Sequence, residues 1–322
     1  MAPGTGGKGM TMETASPALP SAERCVIITP SYRADFARVE RLCASIDRHF
    51  RFAFEHILVV PQRDMLLFTS LAGLNRKVVS KQSVLRRHGF RFLPVPGRIT
   101  VPGLFDRRFK EQWFHPRAGR ISGWTIQQII KLHAGTLCDA PVMMFIDSDV
   151  EIVRDTPLSA FLFEDQVRLH EHDAGADLPS HRHWRNVARR LTGAPDHADS
   201  GRNYIGHMIV WRRDALDSLL ETITRCQGMP WWLVLAREKN FSEYILYGVH
   251  ARHRNLPGHQ WEDLGLVHSL WVSGDAEAEA FRLGLTPRHV AVHIQSTLPI
   301  DQRQRGAILA QLGVAQTIGE CA

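Results

Sequence analysis

Cysteine is scarce in this sequence and unsuited to any framework. Its five residues (Cys25, Cys43, Cys138, Cys226 and Cys321) are odd in number, widely spaced and contain no CxxC pair. That argues against a disulfide scaffold and against a cysteine zinc site, and a reducing cytoplasm is the expected setting. No stretch approaches the ~20 apolar residues of a membrane-spanning helix. A long Lys/Arg run is also missing. The formal net charge of +6 is scattered along the chain, and no DNA- or RNA-binding module is legible. Such a charge favours acidic partners in general, among them phosphates, nucleotides and anionic membrane surfaces. No GxGxxG follows the first apolar run, which disfavours an NAD enzyme, and no internal repeat is visible.

What is present is globular material. The 322 residues are 44% hydrophobic and 22% charged, enough for a sizeable core. Residues 1–22 are rich in Gly, Ala, Pro, Ser and Thr and lack an apolar h-region, so a disordered tail is expected rather than a secretory signal. The "GTGGKGM" within it lacks a preceding strand and a Ser or Thr after Lys8, so it is no phosphate loop.

From residue 25 the pattern alternates strand and helix. "CVIIT" (25–29) reads as a strand, and Phe36, Val39, Leu42, Cys43 and Ile46 as one face of a helix. "HILVV" (56–60) is a second strand, "RFLPV" (91–95) a third at an edge because of Pro94, and "PVMMFI" (141–146) a fourth. Residues 96–122 are expected to form an ordered active-site loop, and "GWTIQQIIKLHAG" (123–135) a helix closed by Gly135. Residues 171–203 read as a mobile insertion with a short helix near 182–191. "HMIVW" (207–211) and "HVAVHI" (289–294) are strands, and 214–226 and "FSEYILYG" (241–248) are helices. Strands separated by helices imply parallel βαβ units in an α/β fold with a mostly parallel sheet flanked by helices. Ligands in such sheets sit at the carboxyl ends of the strands.

One strand end stands out. "VMMFIDSDVE" (142–151) runs five apolar residues into two acids, Asp147 and Asp149. Two carboxylates at the end of a buried strand are costly without a cation. Oxygen-only donors at this spacing suit Mg²⁺ or Mn²⁺ bridging phosphates. An isolated Asp-x-Asp also occurs by chance as a solvated turn.

"FIDSDVEIV" resembles the Asp-x-Asp motif of GT-A glycosyltransferases, which transfer a sugar from a nucleotide diphosphate donor. "CVIITPSYRAD" resembles the first strand and nucleotide-binding loop of that fold, and "GWTIQQIIKL" the helix before its metal strand. "NYIGHMIVWRRDAL" and "FSEYILYG" resemble segments of a bacterial branch of glycosyltransferase-like proteins. The resemblance covers most of residues 24–300. It implies a single GT-A (Rossmann-like) domain over 23–300, with 171–203 as an irregular insertion and 301–322 as a C-terminal helical tail.

The resemblance also implies roles. Asp147 would lie near the donor ribose and the metal, Asp149 would be the direct metal ligand, and His293 a further ligand. The alternative for His293 is an ordinary core or surface histidine. Thr29, Pro30, Ser31 and Tyr32 would meet the base and ribose, or else form a plain strand-end turn. Lys131, with Gln127 one turn before it, would neutralise a phosphate or face solvent. Gly206 would let the donor sugar approach the backbone, or mark a bulge. Glu243 would take the proton of an attacking hydroxyl, or complement a helix N-terminus for a few tenths to ~1 kcal/mol. In "MPWWLV" (229–234) at most one tryptophan would stack on a sugar, and Trp232 reads as core; Trp124 reads as packing.

The function implied is a metal-dependent glycosyltransferase. Its donor would be a nucleotide sugar, UDP-linked by expectation, and its acceptor a saccharide of a surface polysaccharide. It would work in the cytoplasm or at the inner face of the membrane, without nucleic acid. Two other readings stay open. A haloacid-dehalogenase-type phosphatase also uses Asp-x-Asp after a strand, but its motif opens the domain, and "GD" at 274–275 follows no clear apolar strand. A protein of the same fold that binds nucleotide or glycan without turnover is the other.

Overall fold

The structure is a computed structural model that describes residues 25–94, 98–101, 105–108, 111–173, 178–195, 201–270 and 282–312. The tail 1–22, Cys321, the "GD" at 274–275 and residues 313–322 lie outside the described residues, as do parts of 96–122 and 171–203.

The central sheet has five strands. In chain order these are β1 (Cys25–Pro30), β2 (Phe54–Val60), β3 (Arg76–Ser80), β4 (Val142–Ile146) and β6 (Met208–Arg212), with β5 (Val150–Ile152) in a second sheet. Their spatial order is β6-β4-β1-β2-β3. β1 runs parallel to β2 and β4, β2 parallel to β3, and β6 alone antiparallel to β4. The expected mixed, mostly parallel sheet is therefore present, and helices flank it.

Both faces of the sheet are covered, which explains the unbroken apolar runs. Alternate residues serve opposite cores. Val26, Ile28, Met143 and Phe145 pack in one cluster with Ile126, Ile130, Leu219 and Ile245. Cys25, Ile27, Met144 and Ile146 pack in another with Leu42, Ile46 and Phe50. Leu42 and Ile46 come from α1 (Phe36–His49), whose apolar spacing matches a helix period.

Besides the short helical turns Met65–Phe68 and Lys81–Leu85, the longer described helices after α1 are α2 (Gly123–Leu132), α3 (Pro179–Thr192), α4 (Arg213–Gln227), α5 (Trp231–Glu238), α6 (Glu243–His253) and α7 (Gln302–Gln311). Ser122 caps α2 by accepting from the Thr125 amide, and Ser242 caps α6 through Ile245.

Four expectations need correction. The third strand of the main sheet is "RKVVS", not "RFLPV". Only two of its five residues are aliphatic, so its pattern is weak; Arg91–Leu93 instead pairs with Gln112–His115 in a separate antiparallel sheet. The described residues of 96–122 are mostly strand rather than loop: Arg98–Val101 pairs with Phe105–Arg108, and Gln112–His115 with Gly119–Ser122. The helix expected near 182–191 spans Pro179–Thr192, and Val187, Ala188 and Leu191 are buried in the main core. Gly135 does not end α2; it lies in the 3₁₀ turn Ala134–Thr136 that follows.

The chain winds from β1 to β3 on one side, then returns to place β4 on the other. The carboxyl ends of β1 and β4 thus flank a topological switch point, where such sheets bind ligands. The second sheet joins β5 antiparallel to β8 (Ala291–Ile294), and β8 runs parallel to β7 (Val267–Leu270). Its register sets Val150 opposite His293, next to the aspartate turn. Among the described residues, no helix is long and apolar enough to cross a membrane.

Candidate functional site

The Asp147–Asp149 turn leaves β4 and enters β5, so two sheets grip it. Asp147 is part-buried and paired with groups of its own chain. Its Oδ1 accepts from Lys131 Nζ at 3.1 Å, and its Oδ2 lies 3.1 Å from His207 Nδ1. An ionised carboxylate only accepts, so that imidazole nitrogen carries the proton. Burial pushes the Asp147 carboxyl up, but Lys131 and His207 outweigh it and hold it well below the usual range.

Lys131 extends the network. Its Nζ also stands 2.9 Å from Glu243 Oε1 and 2.8 Å from the Tyr244 hydroxyl. Burial disfavours its charge, yet Asp147 and Glu243 raise its pKa well above the ordinary value. The cation expected to meet a phosphate therefore faces two acids of its own chain. Glu243 itself is buried, and its amide donates to Gln128 Oε1 at 3.0 Å. Gln127, one residue earlier, is half-buried and faces elsewhere on the helix.

Asp149 meets His293. His293 Nε2 lies 3.5 Å from Asp149 Oδ2, which also accepts from the Ser296 amide at 2.9 Å. The His293 ring stacks on His207, centroids 3.5 Å apart and planes 15° apart. Burial lowers the His293 pKa, Asp149 opposes the shift and His207 adds to it, so the imidazole favours its neutral form. Burial raises the Asp149 carboxyl while its hydrogen bond to His293 lowers it; the balance is a lowered value.

A third acid joins from α1's approach. Asp35 is buried, receives Ser148 Oγ at 3.3 Å and Arg38 Nη1 at 2.5 Å, and is raised by burial, lowered by Arg38 and raised again by Asp149. Arg38 also reaches the Ser296 carbonyl at 3.3 Å.

The residues after β1 divide. The Thr29 hydroxyl is wholly buried and donates to the Ile146 carbonyl at 2.9 Å, while His56 Nε2 approaches it at 3.0 Å. Thr29 thus ties β1 to β4 from inside the sheet. Pro30 and Ser31 are buried; the Ser31 Oγ has no hydrogen-bond partner among the described residues. Tyr32 is 37% exposed at the crevice mouth. At Gly206 a Cβ would come within 2.8 Å of Ile209 Cδ1 and 3.3 Å of His170 Cδ2, so the glycine leaves room for these side chains. Trp231 and Trp232 pack against the core, and Trp232 lies 5.0 Å from the His88 ring. Trp124 is exposed and stacks on Trp184 at 5.8 Å.

Sequence reading missed His207, Asp35, Arg38 and Ser296. Asp35 lies within "PSYRAD" and His207 within "NYIGH", so both sat in segments already singled out; their convergence did not show.

A divalent ion can be tested against these donors. No group of three or more His, Cys, Asp or Glu side chains among the described residues forms a metal cage. Asp147 is engaged at both oxygens. Asp149 and His293 remain. Two ligands about 2.1 Å from one ion stand roughly 3.0 to 3.4 Å apart at octahedral to tetrahedral angles. The observed 3.5 Å is close to that and is the outer limit for a hydrogen bond. A neutral imidazole with one carboxylate, completed by phosphate and water, fits Mn²⁺ or Mg²⁺.

No curated protein matches the chain. It is similar to the solved apo structure of mouse xyloside xylosyltransferase 1, at 11% identity and a TM-score of 0.42, over 86% of this chain and 100% of that one. Residues 24–272 match a single family model, and the chain belongs to that family, the family of unknown function DUF6492.

Proposed function

We propose that this chain is a GT-A-type glycosyltransferase. It would move a sugar from a nucleotide diphosphate donor, UDP-linked by preference, to a saccharide acceptor in surface polysaccharide synthesis. The observation that carries this reading is the placement of Asp147 and Asp149 at the carboxyl end of β4, beside the end of β1 at the switch point, with His293 3.5 Å from Asp149.

In this reading Asp149 and His293 hold Mn²⁺ or Mg²⁺. Such an ion would supply positive charge to offset the negative charge developing on a departing nucleotide diphosphate. Asp147, fixed by Lys131 and His207, presents its partly exposed carboxylate to the donor ribose. Tyr32 offers a ring face to the base, and Pro30 and Ser31 line the approach. Thr29 acts indirectly, by fixing the strand end that carries Asp147.

Glu243 has two roles to separate. As base it takes the proton from the acceptor hydroxyl; as anchor it only holds Lys131. The location that follows is the cytoplasm, with contact at the inner face of the membrane. The phosphatase reading would make Asp147 a nucleophile, and both of its oxygens are occupied by Lys131 and His207.

The test is thermal stabilisation by UDP, GDP and phosphate, each with and without Mn²⁺. A UDP shift that requires Mn²⁺, followed by donor hydrolysis or transfer, is the expected result. Stabilisation without turnover would indicate a binding protein. Hydrolysis of small phosphoesters with no nucleotide response would overturn the proposal in favour of a phosphatase.

A further inference from the structure

The turn that carries Asp149 is held by residues beyond the family match, which ends at 272. His293, Ser296 and Arg305 all contact it, and Arg305 has no role in the site so far. Arg305 lies on α7 and is only 4% exposed. Its Nη2 donates to the Asp149 carbonyl at 2.7 Å and its Nη1 to the Ile294 carbonyl at 3.3 Å. No carboxylate among the described residues lies within ion-pair distance of it; Glu151 is taken by Arg41 at 3.0 Å. Burial draws its pKa down to about 10, against the fields of Glu151 and Asp149.

A buried guanidinium without an ion pair is costly. Here it forks across two carbonyls that no apolar side chain would satisfy. Those carbonyls belong to the start of the β5 arm and the end of β8, the two segments that bring Asp149 and His293 together. The Ile294 amide donates to the same Asp149 carbonyl at 3.3 Å. α7 is itself well placed to deliver the fork. Asp301 and Gln304 form a capping box at its start, and Leu309, one turn after Arg305, packs with Leu270, Val292 and Ile294.

We propose that Arg305 is a positioning residue that clamps the Asp149 turn to the end of β8 and so sets the Asp149–His293 spacing. The purpose of that spacing rests on the proposed function; the clamp is a property of the free chain. The C-terminal helix is then part of the site's construction, and residues 24–272 alone would not complete it.

The test uses the full chain and two variants. R305M keeps the apolar stem and removes both donors, and R305K keeps the charge without the fork. Amide hydrogen exchange is read at Ile294 and Ser296 relative to Ile28 in β1, and the Kd of UDP is read with and without Mn²⁺. In R305M the two amides should exchange at least about tenfold faster relative to Ile28, and the Kd with Mn²⁺ should rise about tenfold while UDP alone is unchanged. R305K should fall between R305M and wild type on both measures. Unchanged exchange ratios in the folded variants overturn the clamp; should R305M not fold, R305K decides this alone. Faster exchange with wild-type affinity overturns the positioning role. Faster exchange in a chain whose wild type shows no Mn²⁺-dependent UDP binding supports the clamp and rejects the proposed function.

Discussion

Two polar networks meet at the end of β4, and they are built differently. The first runs through the sheet in single file: Asp47 to Arg76 at 2.8 Å, Arg76 to His56 at 3.1 Å, His56 to Thr29 at 3.0 Å, Thr29 to the Ile146 carbonyl at 2.9 Å. One cation faces one acid, and Arg76 also reaches the Cys43 carbonyl at 3.4 Å. The second begins one residue later. There Lys131 is shared by Asp147 and Glu243, His207 takes the other oxygen of Asp147, and Asp149 and the Arg38-paired Asp35 add further carboxylates beside two stacked imidazoles. Buried polarity therefore does not by itself mark a site. The first network pins strands together from inside the sheet; the second is an acid-rich edge at a switch point.

The sharpest way to break this contrast is Asp149→Asn. It should weaken Mn²⁺-dependent UDP binding at least about a hundredfold while leaving the urea midpoint nearly unchanged. Calorimetric affinity equal to wild type would remove Asp149 from the ion site. Next is Glu243→Gln. A base should lose on the order of a hundredfold in transfer rate at unchanged donor affinity; a joint loss of rate and affinity would mark Glu243 as the anchor of Lys131.

Lys131→Met should leave two acids without their cation and cost about 2–3 kcal/mol at pH 7. Asp147's carboxyl lies below its ordinary value, so the stability it contributes is present above the usual carboxylate range and is lost as pH falls through the lowered one. The deficit of the variant should accordingly shrink in acid, and urea melts at pH 7 and pH 3 that differ from wild type by the same amount would contradict the pairing.

In the other network, Arg76→Ala should cost about 2 kcal/mol in urea unfolding, with UDP affinity within about twofold of wild type. A large loss of affinity would merge the two networks into one. The smallest effect lies away from both. Burial holds His133 down to about 3, opposed by its bond to the Ile129 carbonyl and aided by His88 and Arg87. Its stabilising contribution is present above the ordinary histidine pKa and declines as pH falls below it, by about 1 kcal/mol between pH 7 and 5.5. Stability that is flat over that interval in wild type, or that falls equally in His133→Leu, would refute this.

Much of the scaffold was legible. β1, β2, β4 and β6 are apolar runs bounded by turn residues, and α1 shows its face at i, i+3 and i+7. "RKVVS" was not legible, because an edge strand opening on two cations carries little apolar signal. Within the site, the aspartates announced themselves by ending a buried run. Lys131 stands out in the sequence as a cation near a strand end, with a phosphate contact and a solvated face both open to it; its pairing with Asp147 and Glu243 shows only in the fold. Arg38 with Ser296 and Arg305 with Asp149 are 258 and 156 residues apart, and no local period links such pairs.

The order of its residues alone was enough to set the apolar strands β1, β2, β4 and β6, the buried face of α1 and the place where acids interrupt a buried strand. Periodicity and apolar burial act over a few residues and need no distant partner. Folding decided which charges neutralise which, that two histidines stack between the aspartates, and that a C-terminal arginine grips the turn. Electrostatic pairing depends on separation in space, and only the crossing of β4, β8 and α7 brings these groups within reach of one another.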